Sequence, residues 1–346
     1  MNTQQLGIEF IKKLFNASEG HDKNVFLREM VYHLYRIKNK KTYAEMQRRK
    51  DLPIFDYETI AQPLPPYPLF KIFENNYYGH GSVLSKIFPI NHQTRIEHGL
   101  FFGDYLHKQN LFPNIKNIIT FSEYRKKIVE QQTDKNVLCV GPYIHYADLL
   151  LNQENLKSIK EQLGKTLLIF PSHSTRGVQA NFDTEKLIND IEDIKQEHQF
   201  KTVIVCLYWK DIQLNKHLPY QQKGYTIVCS GFLYDQYFLS RMKTIIHLAD
   251  VTLSNNIGTH IGYCLSENKP HWIISQSIQY QHSEDRVTAY REFKVQTKER
   301  LKKINDEKQY IESVFSTYDE FISESQQQCF EYFWGTPIES PSTKCG

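Results

Sequence analysis

An apolar strand that leads directly into a polar turn, a helix and a second strand constrains the fold of this chain more than any other feature. The strand begins at Val251, the turn covers residues 254–258, an apolar helix extends to about Asn268, and the next strand begins at His271. A connection of this length joins two parallel strands of one sheet. Free backbone N–H groups and the positive end of the helix dipole make the first turn of such a helix suited to binding phosphate. An ordinary crossover helix with an Asn or Ser N-cap explains the same residues equally well.

The C-terminal half of the chain repeats this alternation of apolar strands and amphipathic helices. Further strands are expected over 166–170, 203–208 and 225–229, and helices over 184–198 and 237–248. Continuous apolar strands separated by helices predict a parallel sheet that is covered on both faces. Ligands of such sheets bind at the carboxyl ends of the strands. This rule gathers residues 172–175, Tyr208, residues 230–231 and residues 254–259 along one edge.

The N-terminal half is less regular but contains the same kinds of element. The elements expected there are helices over 3–16, 24–38 and 123–130 and strands over 93–97, 117–120 and 137–140. The proline-rich stretch 63–68 is interpreted as an extended connector. The charged segment 294–328 has a helical pattern without strand character. We therefore expect a second α/β domain in the N-terminal half.

Composition limits the class of protein without naming its activity. A chain of 346 residues exceeds the usual size of one core, which favours two domains. The formal charge of +3 is too small to predict nucleic-acid binding. The six cysteines form no CxxC pair, and this fits the reducing cytoplasm. No signal peptide or membrane-spanning run is expected, although the amphipathic stretch 6–15 leaves a peripheral contact with the inner face of the plasma membrane open.

Five short motifs, taken in order, carry a resemblance to a known class of enzyme. They lie at residues 95–100 (RIEHGL), 140–148 (VGPYIHYAD), 168–174 (LIFPSHS), 250–270 and 332–335 (YFWG). Together they resemble bacterial GT-B-fold glycosyltransferases of the cell-envelope polysaccharide type, which make capsule, O-antigen and teichoic-acid polymers. Each motif is short, so their order and spacing give the resemblance most of its weight. One position departs from the pattern: many of these enzymes bind the donor ribose through a Glu, where this chain has Tyr263, with Glu267 one turn further on.

The resemblance implies a GT-B architecture, in which two Rossmann-like domains face each other and a C-terminal helix crosses back. It places the acceptor-side domain at 1–155, the donor-binding domain at 156–320 and the returning tail at 321–346. The implied activity is transfer of a sugar from a nucleotide-sugar co-substrate to a cell-surface polysaccharide or a lipid-linked glycan. No metal and no other cofactor are expected, because the sequence lacks HxxxH, HExxH, a short-spaced Cys/His set and an isolated Asp-x-Asp. The implied location is the cytoplasm.

The acceptor hydroxyl must lose a proton as it attacks the sugar, and His98 is the candidate base for that step. Imidazole titrates near neutrality, and His98 ends a strand that is expected to face the cleft. Glu97 is a second candidate, as base or as orienting group. A histidine that merely caps the turn at Gly99 is the alternative. On the acceptor side, Tyr78 and His80 lie in an aromatic, glycine-containing loop, which a simple hinge explains as well.

The leaving phosphate must be stabilised as its charge grows, and two clusters are candidates for this task. The first lies in the turn before the helix, and the second follows the strand at 166–170, where Arg176 could form a bidentate contact with phosphate. The resemblance also places the loop 230–231 near the nucleotide base. The donor-side residues are Ser254, Asn255, Asn256, Gly258, Thr259, His173, Ser174, Thr175, Arg176, Ser230 and Gly231. A surface arginine at 176 and a plain turn at 230–231 are the alternatives.

Two other functions stay open beside the transferase. A nucleotide-sugar epimerase shares the two-domain architecture, but it needs paired carboxylates that the sequence does not reveal. A glycan-assembly or binding protein of the same fold would have lost catalysis. Substitution of His98 separates the last alternative, because only a transferase would lose turnover.

Overall fold

The computed structural model describes residues 25–175, 177–282 and 298–338. It is a mixed α/β protein with parallel sheets and many helices. The strands are β1 (Thr94–Ile96), β2 (Asn117–Thr120), β3 (Asn136–Cys139), β4 (Thr166–Phe170), β5 (Val178–Asn181), β6 (Thr202–Cys206), β7 (Thr226–Val228), β8 (Val251–Ser254), β9 (His271–Ile273) and β10 (Gln279–His282). The helices are α1 (Val25–Lys38), α2 (Lys40–Lys50), α3 (Tyr57–Ile60), α4 (His80–Leu84), α5 (Glu123–Glu130), α6 (Gln153–Leu163), α7 (Thr184–Glu197), α8 (Trp209–Gln213), α9 (Leu218–Gln222), α10 (Phe238–Leu248), α11 (Thr259–Ser266), α12 (Lys298–Val314) and α13 (Glu324–Phe333).

A five-stranded parallel sheet forms the C-terminal half, with the strand order β7-β6-β4-β8-β9. The chain starts in the middle at β4, moves outward to β7, and then crosses back to β8. Side chains of β4 alternate between the two faces: Leu168 and Phe170 join one buried cluster, whereas Leu167 and Ile169 join another. Both faces are therefore covered, as the uninterrupted apolar strands predicted. The predicted strands are confirmed, with ends that differ by at most three residues.

Helix α7 shows why the amphipathic segments form helices against this sheet. Asp183 accepts a hydrogen bond from the backbone N–H of Lys186, so the helix begins at a capped end. Its apolar residues recur at helical spacing and enter the cluster that contains Leu167. Burial of each such Leu or Ile side chain contributes about 1.5–3 kcal/mol. The spacing of apolar residues thus both defines the helix and attaches it to the sheet.

A three-stranded parallel sheet of order β1-β2-β3 forms in the N-terminal half. Ser122 caps α5 by accepting from the backbone N–H of Arg125, which explains why the predicted helix begins there. Ile96 and Ile119 of this sheet belong to the same buried cluster as Leu168 of the larger one. The two sheets therefore share one continuous apolar core.

The antiparallel pair of β5 and β10 is an element that the sequence did not reveal. Most residues of the two strands are polar and at least partly exposed, and Ala180 is the fully buried one. Without alternation of apolar and polar residues, neither segment has the pattern by which a strand is recognised. The pair lies beside the ends of β4 and β8, where Tyr280 of β10 borders a cavity.

The C-terminal residues pack against the three-stranded sheet. After α13, an added Cβ at Gly335 would lie 2.3 Å from the carbonyl oxygen of Phe121, so the chain passes directly over the end of β2. The backbone N–H of Ile338 donates to the hydroxyl of Tyr146 at 3.0 Å. Helices α12 and α13 cover most of the segment predicted to be helical over 294–328. The helix predicted over 3–16 lies outside the residues that the structure describes.

Within the described ranges, no helix is long and apolar enough to cross a membrane. Cys139, Cys206, Cys229, Cys264 and Cys329 are free thiols there, and all except Cys139 are buried.

Candidate functional site

The order of strands in the larger sheet reverses between β4 and β8, because the chain leaves β4 toward one edge and enters β8 on the other side. Loops at the carboxyl ends of two such strands turn away from each other and leave a crevice, which is where open α/β sheets bind ligands. The loop after β4 contributes Pro171, Ser172 and His173 to a cavity at this point. The turn after β8 contributes residues 256–260.

The cavity has a volume of about 470 Å³, within the range of small-molecule sites. The three-stranded sheet closes it from the opposite side through His98 and Gly99, which follow β1. The remaining walls come from loops after β6 and β7 and from helices α10 and α11. Predicted site residues that line it are Tyr78, His80, His98, His173, Thr175, Ser230, Asn256, Gly258 and Thr259. Nine of the predicted residues, from both halves of the chain, thus meet in one cavity.

The turn between β8 and α11 is held by its own side chains. The Ser254 hydroxyl donates to the carbonyl oxygen of Asn256 and lies 2.9 Å from Nε2 of His271. The Asn255 side-chain oxygen accepts from the backbone N–H of Ser172 at 2.7 Å, which ties the turn to the loop after β4. Ser254 and Asn255 are fully buried and do not line the cavity. They hold the turn in shape from the protein interior. The sequence had suggested that both would face the ligand, and the structure differs at this point.

The side chains of Asn256 and Thr259, together with the first turn of α11, border the cavity. Thr259 is the first residue of α11, and its hydroxyl oxygen accepts from the backbone N–H of Leu100 at 3.1 Å. The Asn256 amide donates to the hydroxyl of Tyr280 at 3.1 Å. The backbone N–H groups of Thr259 and His260, in the first turn of α11, have no acceptor in the described part of the chain. They are the backbone donors that remain available to an anion at this turn once the side chains are accounted for.

The loop after β4 divides its predicted residues between the cavity and the interior. His173 is exposed within the cavity, with its ring 5.1 Å from that of Tyr208. Thr175 also lines the cavity. Ser174 is fully buried, and its hydroxyl receives hydrogen bonds from Lys216 and from the backbone N–H of Ala180, both at 3.1 Å. Arg176 lies outside the described residues, so its predicted contact with phosphate stays a prediction.

The loop after β7 contributes one of its two predicted residues. Ser230 is at the apolar end of the cavity, where its hydroxyl lies 3.4 Å from the sulfur of Met242. Gly231 does not line the cavity. It packs beside the buried ion pair of Asp235 and Arg241, whose atoms are 2.8 Å apart.

His98 and Glu97 are neighbours in sequence, but the structure gives them different surroundings. The imidazole of His98 lines the cavity, and burial, His80 and the guanidinium of Arg95 lower its pKa well below the usual value. His98 is therefore neutral at pH 7 and able to accept a proton. Glu97 is buried on the other side of the strand, where Arg125 donates to both of its carboxylate oxygens at 2.6 and 2.8 Å. Its position is that of a buried structural ion pair and not of a cavity residue.

Tyr78 and His80 come from a segment that packs between the two sheets. The hydroxyl groups of Tyr78 and Tyr208 are 3.4 Å apart, so this segment contacts the loop after β6. His80 is 3% exposed, and burial lowers its pKa to about 3. Its Nδ1 atom lies 3.4 Å from that of His98.

Several cavity residues were not singled out by sequence reasoning. Tyr280 lines the cavity from β10, a strand that had no recognisable pattern. His260 follows Thr259 in α11, and its ring stacks on Phe170 at a centroid distance of 5.1 Å. Position directly after the predicted phosphate turn was the signal that could have identified His260. No local pattern identifies Tyr280, because only the pairing of β10 with β5 brings it to the site.

The described lining of the cavity is rich in histidine and contains no residue of the four charged types. Four histidines line the cavity, and none of the described lining residues is Lys, Arg, Asp or Glu. Glu267, the glutamate one turn beyond Tyr263, is directed to His247 and Lys243 instead. In the described ranges, no group of three or more His, Cys, Asp or Glu residues could hold a metal ion. The polar groups available along this described lining are therefore neutral hydrogen-bonding groups and the first turn of α11.

The class of protein defined so far is a mixed α/β protein with a ligand-sized cavity at the strand ends of its larger parallel sheet. No protein-family description matches the chain, and no curated protein sequence matches it. Among solved structures, it is similar to the pneumococcal O-GlcNAc transferase GtfA in complex with UDP and GlcNAc. The TM-score is 0.33 and the identity 12%, over 70% of this chain and 51% of that one. The chain thus spans about half the length of that transferase.

Proposed function

We propose that this chain is a GT-B glycosyltransferase that transfers a sugar from a nucleotide-sugar donor to a cell-envelope glycan or a lipid-linked glycan. One observation carries the proposal: a cavity at the strand-order reversal of a parallel sheet is closed by His98 from a second parallel sheet. A donor and an acceptor held by different sheets would meet between them, and holding two reactants together is a large part of what a transferase must do.

In this proposal, the donor phosphates bind at the first turn of α11. Its backbone N–H groups and helix dipole would stabilise the charge that develops on the leaving phosphate. The Thr259 hydroxyl is within reach of the same turn, although it already accepts from Leu100. Arg176 would supply the missing cation, since the described lining contains no lysine or arginine. This division of roles requires no metal ion, and metal independence is part of the proposal.

The acceptor hydroxyl would lose its proton to His98. A neutral imidazole is the form that accepts a proton, and the burial of His98 keeps it neutral. The same burial makes it a weak base when no substrate is bound. Binding of an anionic donor nearby would favour the protonated form and raise the pKa toward the range useful for catalysis. Tyr78 and His80 stay the proposed acceptor-side residues, with Tyr78 in contact with the acceptor and His80 acting through its contact with His98.

The epimerase alternative is less favoured by the lining. Epimerisation through paired carboxylates needs two of them at the sugar, and the described lining contains none. The binding-protein alternative is separated by experiment.

The first test is a thermal-shift panel of nucleotides and nucleotide sugars, performed with and without EDTA. A ligand at about 100 times its dissociation constant stabilises the folded state by about 2.7 kcal/mol, which gives a clear shift. We expect a shift with one nucleotide family that persists in EDTA. Thr175→Trp, which fills the cavity mouth, should remove it, whereas Gln179→Trp on an exposed position of β5 should not. No shift with any nucleotide would contradict the donor site.

The second test measures sugar transfer by wild-type protein and His98→Gln with the donor identified above. We expect the variant to retain the thermal shift and to lose turnover by about 100-fold or more, the usual contribution of a general base. Sugar interconversion without acceptor would establish the epimerase instead. Donor binding without turnover in the wild type, across the acceptor panel, would favour the binding protein.

A further inference from the structure

His80 and His98 form a pair of imidazoles at the wall of the cavity. Their Nδ1 atoms are 3.4 Å apart, and their ring centroids are 5.6 Å apart with planes inclined by 30°. His98 follows β1 in the smaller sheet, whereas His80 is the first residue of α4. The pair therefore depends on tertiary packing and not on sequence proximity.

The position of His80 is fixed by its neighbours. The rings of His80 and Tyr143 meet in a T-shaped arrangement with centroids 5.0 Å apart, and the ring of Tyr78 lies 5.6 Å from that of His80. Gly79, directly before it, has φ of +71°, and an added Cβ there would lie 2.4 Å from the carbonyl oxygen of Gln236. The backbone before His80 therefore has little room to shift toward Gln236.

Both rings are neutral at physiological pH, because burial lowers the pKa of His80 to about 3 and that of His98 well below its usual value. A neutral imidazole carries one proton, on either Nδ1 or Nε2. When two Nδ1 atoms face each other, one must carry the proton and donate it to the other. Two lone pairs or two N–H groups in this position would repel. The tautomer of one ring therefore determines the tautomer of its partner.

The surroundings of the other His98 nitrogen decide which ring donates. Nε2 of His98 is buried and has no hydrogen-bond partner in the described part of the protein. A buried N–H group without an acceptor is rare in folded proteins, while an acceptor without a donor is tolerated more often. The favoured arrangement has the proton on Nδ1 of His98, donated to Nδ1 of His80. Nε2 of His98 then carries a lone pair.

We propose that His80 is a positioning residue that holds His98 in the Nδ1–H tautomer and so keeps Nε2 of His98 free to accept a proton. His80 itself carries its proton on Nε2. The consequence for catalysis rests on the proposed function, since a base that accepts the acceptor's proton needs a lone pair directed at it. The tautomer itself is a property of the protein without substrate and is tested independently.

The test is long-range ¹H–¹⁵N NMR of full-length protein labelled with ¹⁵N-histidine, which distinguishes the two neutral tautomers by their nitrogen shifts. Loss of signals in His98→Gln and His80→Asn assigns the pair. We expect His98 as the Nδ1–H tautomer in the wild type. In His80→Phe, which keeps an aromatic ring against Tyr143 but removes the acceptor, we expect His98 to change to the Nε2–H form that free histidine prefers in water. His271, which is held between Thr252 and Ser254, serves as an internal control and should not change.

His80→Asn is the matched conservative variant, because its side-chain oxygen can occupy the position of the imidazole Nδ1 and accept the same proton. We expect it to retain the Nδ1–H form of His98. An Nε2–H tautomer in the wild type would overturn the proposal without any variant, and so would an unchanged His98 in folded His80→Phe. If His80→Phe does not fold, conversion of His98 to the Nε2–H form in His80→Asn overturns the proposal, and retention supports it.

Activity measurements separate this proposal from the proposed function. If both hold, His80→Phe lowers kcat by about 10- to 100-fold with KM within twofold, and His80→Asn recovers most of the loss. The expected tautomers without any sugar transfer would support the positioning role and contradict the transferase. Sugar transfer by a wild-type protein whose His98 is in the Nε2–H form would support the transferase and contradict the positioning role.

Discussion

The indole of Trp334 lies directly against Gly262, so that an added Cβ at this glycine would lie 2.0 Å from Cδ1 of the ring. Gly262 is in α11, the helix whose first turn borders the cavity, and Trp334 follows α13 near the C-terminus. The side chain of Trp334 is fully buried. Close approach at this glycine therefore attaches the C-terminal residues to the helix that forms the site.

We predict that Gly262→Ala destabilises the protein despite its better helix propensity. Alanine in a helix interior gains up to about 1 kcal/mol over glycine. Overpacking a core costs about 1–3 kcal/mol, and a contact of 2.0 Å with a buried indole forces the ring or the helix to move. Chemical denaturation should show a net loss of about 1–2 kcal/mol. In Gly262→Ala/Trp334→Leu, the two losses should be less than additive, and full additivity would show that the contact is not the cause.

The hydrogen bond from Leu100 to Thr259 should contribute to holding the two sheets together at the cavity. Thr259→Val keeps the shape of the side chain but leaves the backbone N–H of Leu100 without its acceptor. An unsatisfied buried donor costs about 1–3 kcal/mol, and the partial burial of this one favours the lower end. Thermal unfolding should show the loss in Thr259→Val and a much smaller one in Thr259→Ser, which retains the hydroxyl. Equal losses in both variants would mean that packing, and not this hydrogen bond, is responsible.

Glu97 should behave as a structural residue when its charge is removed. Glu97→Gln leaves the Arg125 guanidinium buried without its counter-charge, and breaking a buried ion pair costs about 3–5 kcal/mol. Denaturant unfolding measures this loss. Glu123→Gln, at an exposed pair on the same helix as Arg125, is the control and should change stability by no more than about 0.5 kcal/mol. A Glu97→Gln protein of normal stability that lacked activity would instead support the catalytic role suggested for this residue.

Acid should destabilise the protein in a window that the buried histidines define. Burial lowers the folded-state pKa of His80 to about 3, whereas an unfolded histidine titrates near 6.5. Between these two pH values, the unfolded chain binds a proton at His80 that the folded protein does not bind. The stability contributed by keeping His80 neutral is therefore fully present above about pH 6.5, and it is lost progressively as the pH falls toward 3. Each such histidine adds a slope of up to about 1.4 kcal/mol per pH unit.

The measurement is the free energy of unfolding between pH 7.5 and 4 for the wild type and His80→Asn. We expect a shallower dependence in the variant, because asparagine does not titrate. The exposed His92 provides the control, and His92→Gln should follow the wild-type curve. An unchanged slope in His80→Asn would show that His80 is not held neutral by burial.

Local sequence patterns predicted the regular elements because one interaction dominates each of them. The apolar run 166–170 has no favourable position except the interior of a sheet, and it forms β4 with every residue buried. Helix α7 was predictable from its apolar spacing and its Asp183 cap. The strand β10 was not, because its sequence Gln-Tyr-Gln-His has no apolar face and pairs with β5 through backbone hydrogen bonds.

The candidate site was predictable in its location but not in its details. The ends of parallel strands must lie at one edge of their sheet, and so the loops after β4, β6, β7 and β8 were brought together as expected. Which side chain in each loop faces the cavity depends on local hydrogen bonds. Ser254 and Asn255 illustrate this, since bonds to His271 and to the loop after β4 direct both of them inward.

By itself, the sequence determined the alternation of strands and helices, the parallel sheets and the sheet edge at which the candidate cavity lies. These follow from the periodic placement of apolar residues, which depends on interactions among near neighbours and on burial. The tertiary structure alone decided the pairing of His80 with His98, the internal ion pair of Glu97 with Arg125, and the contact of Trp334 with Gly262. Each of these joins residues from separate elements, and their energies depend on distances and burial that exist only after the elements have packed together.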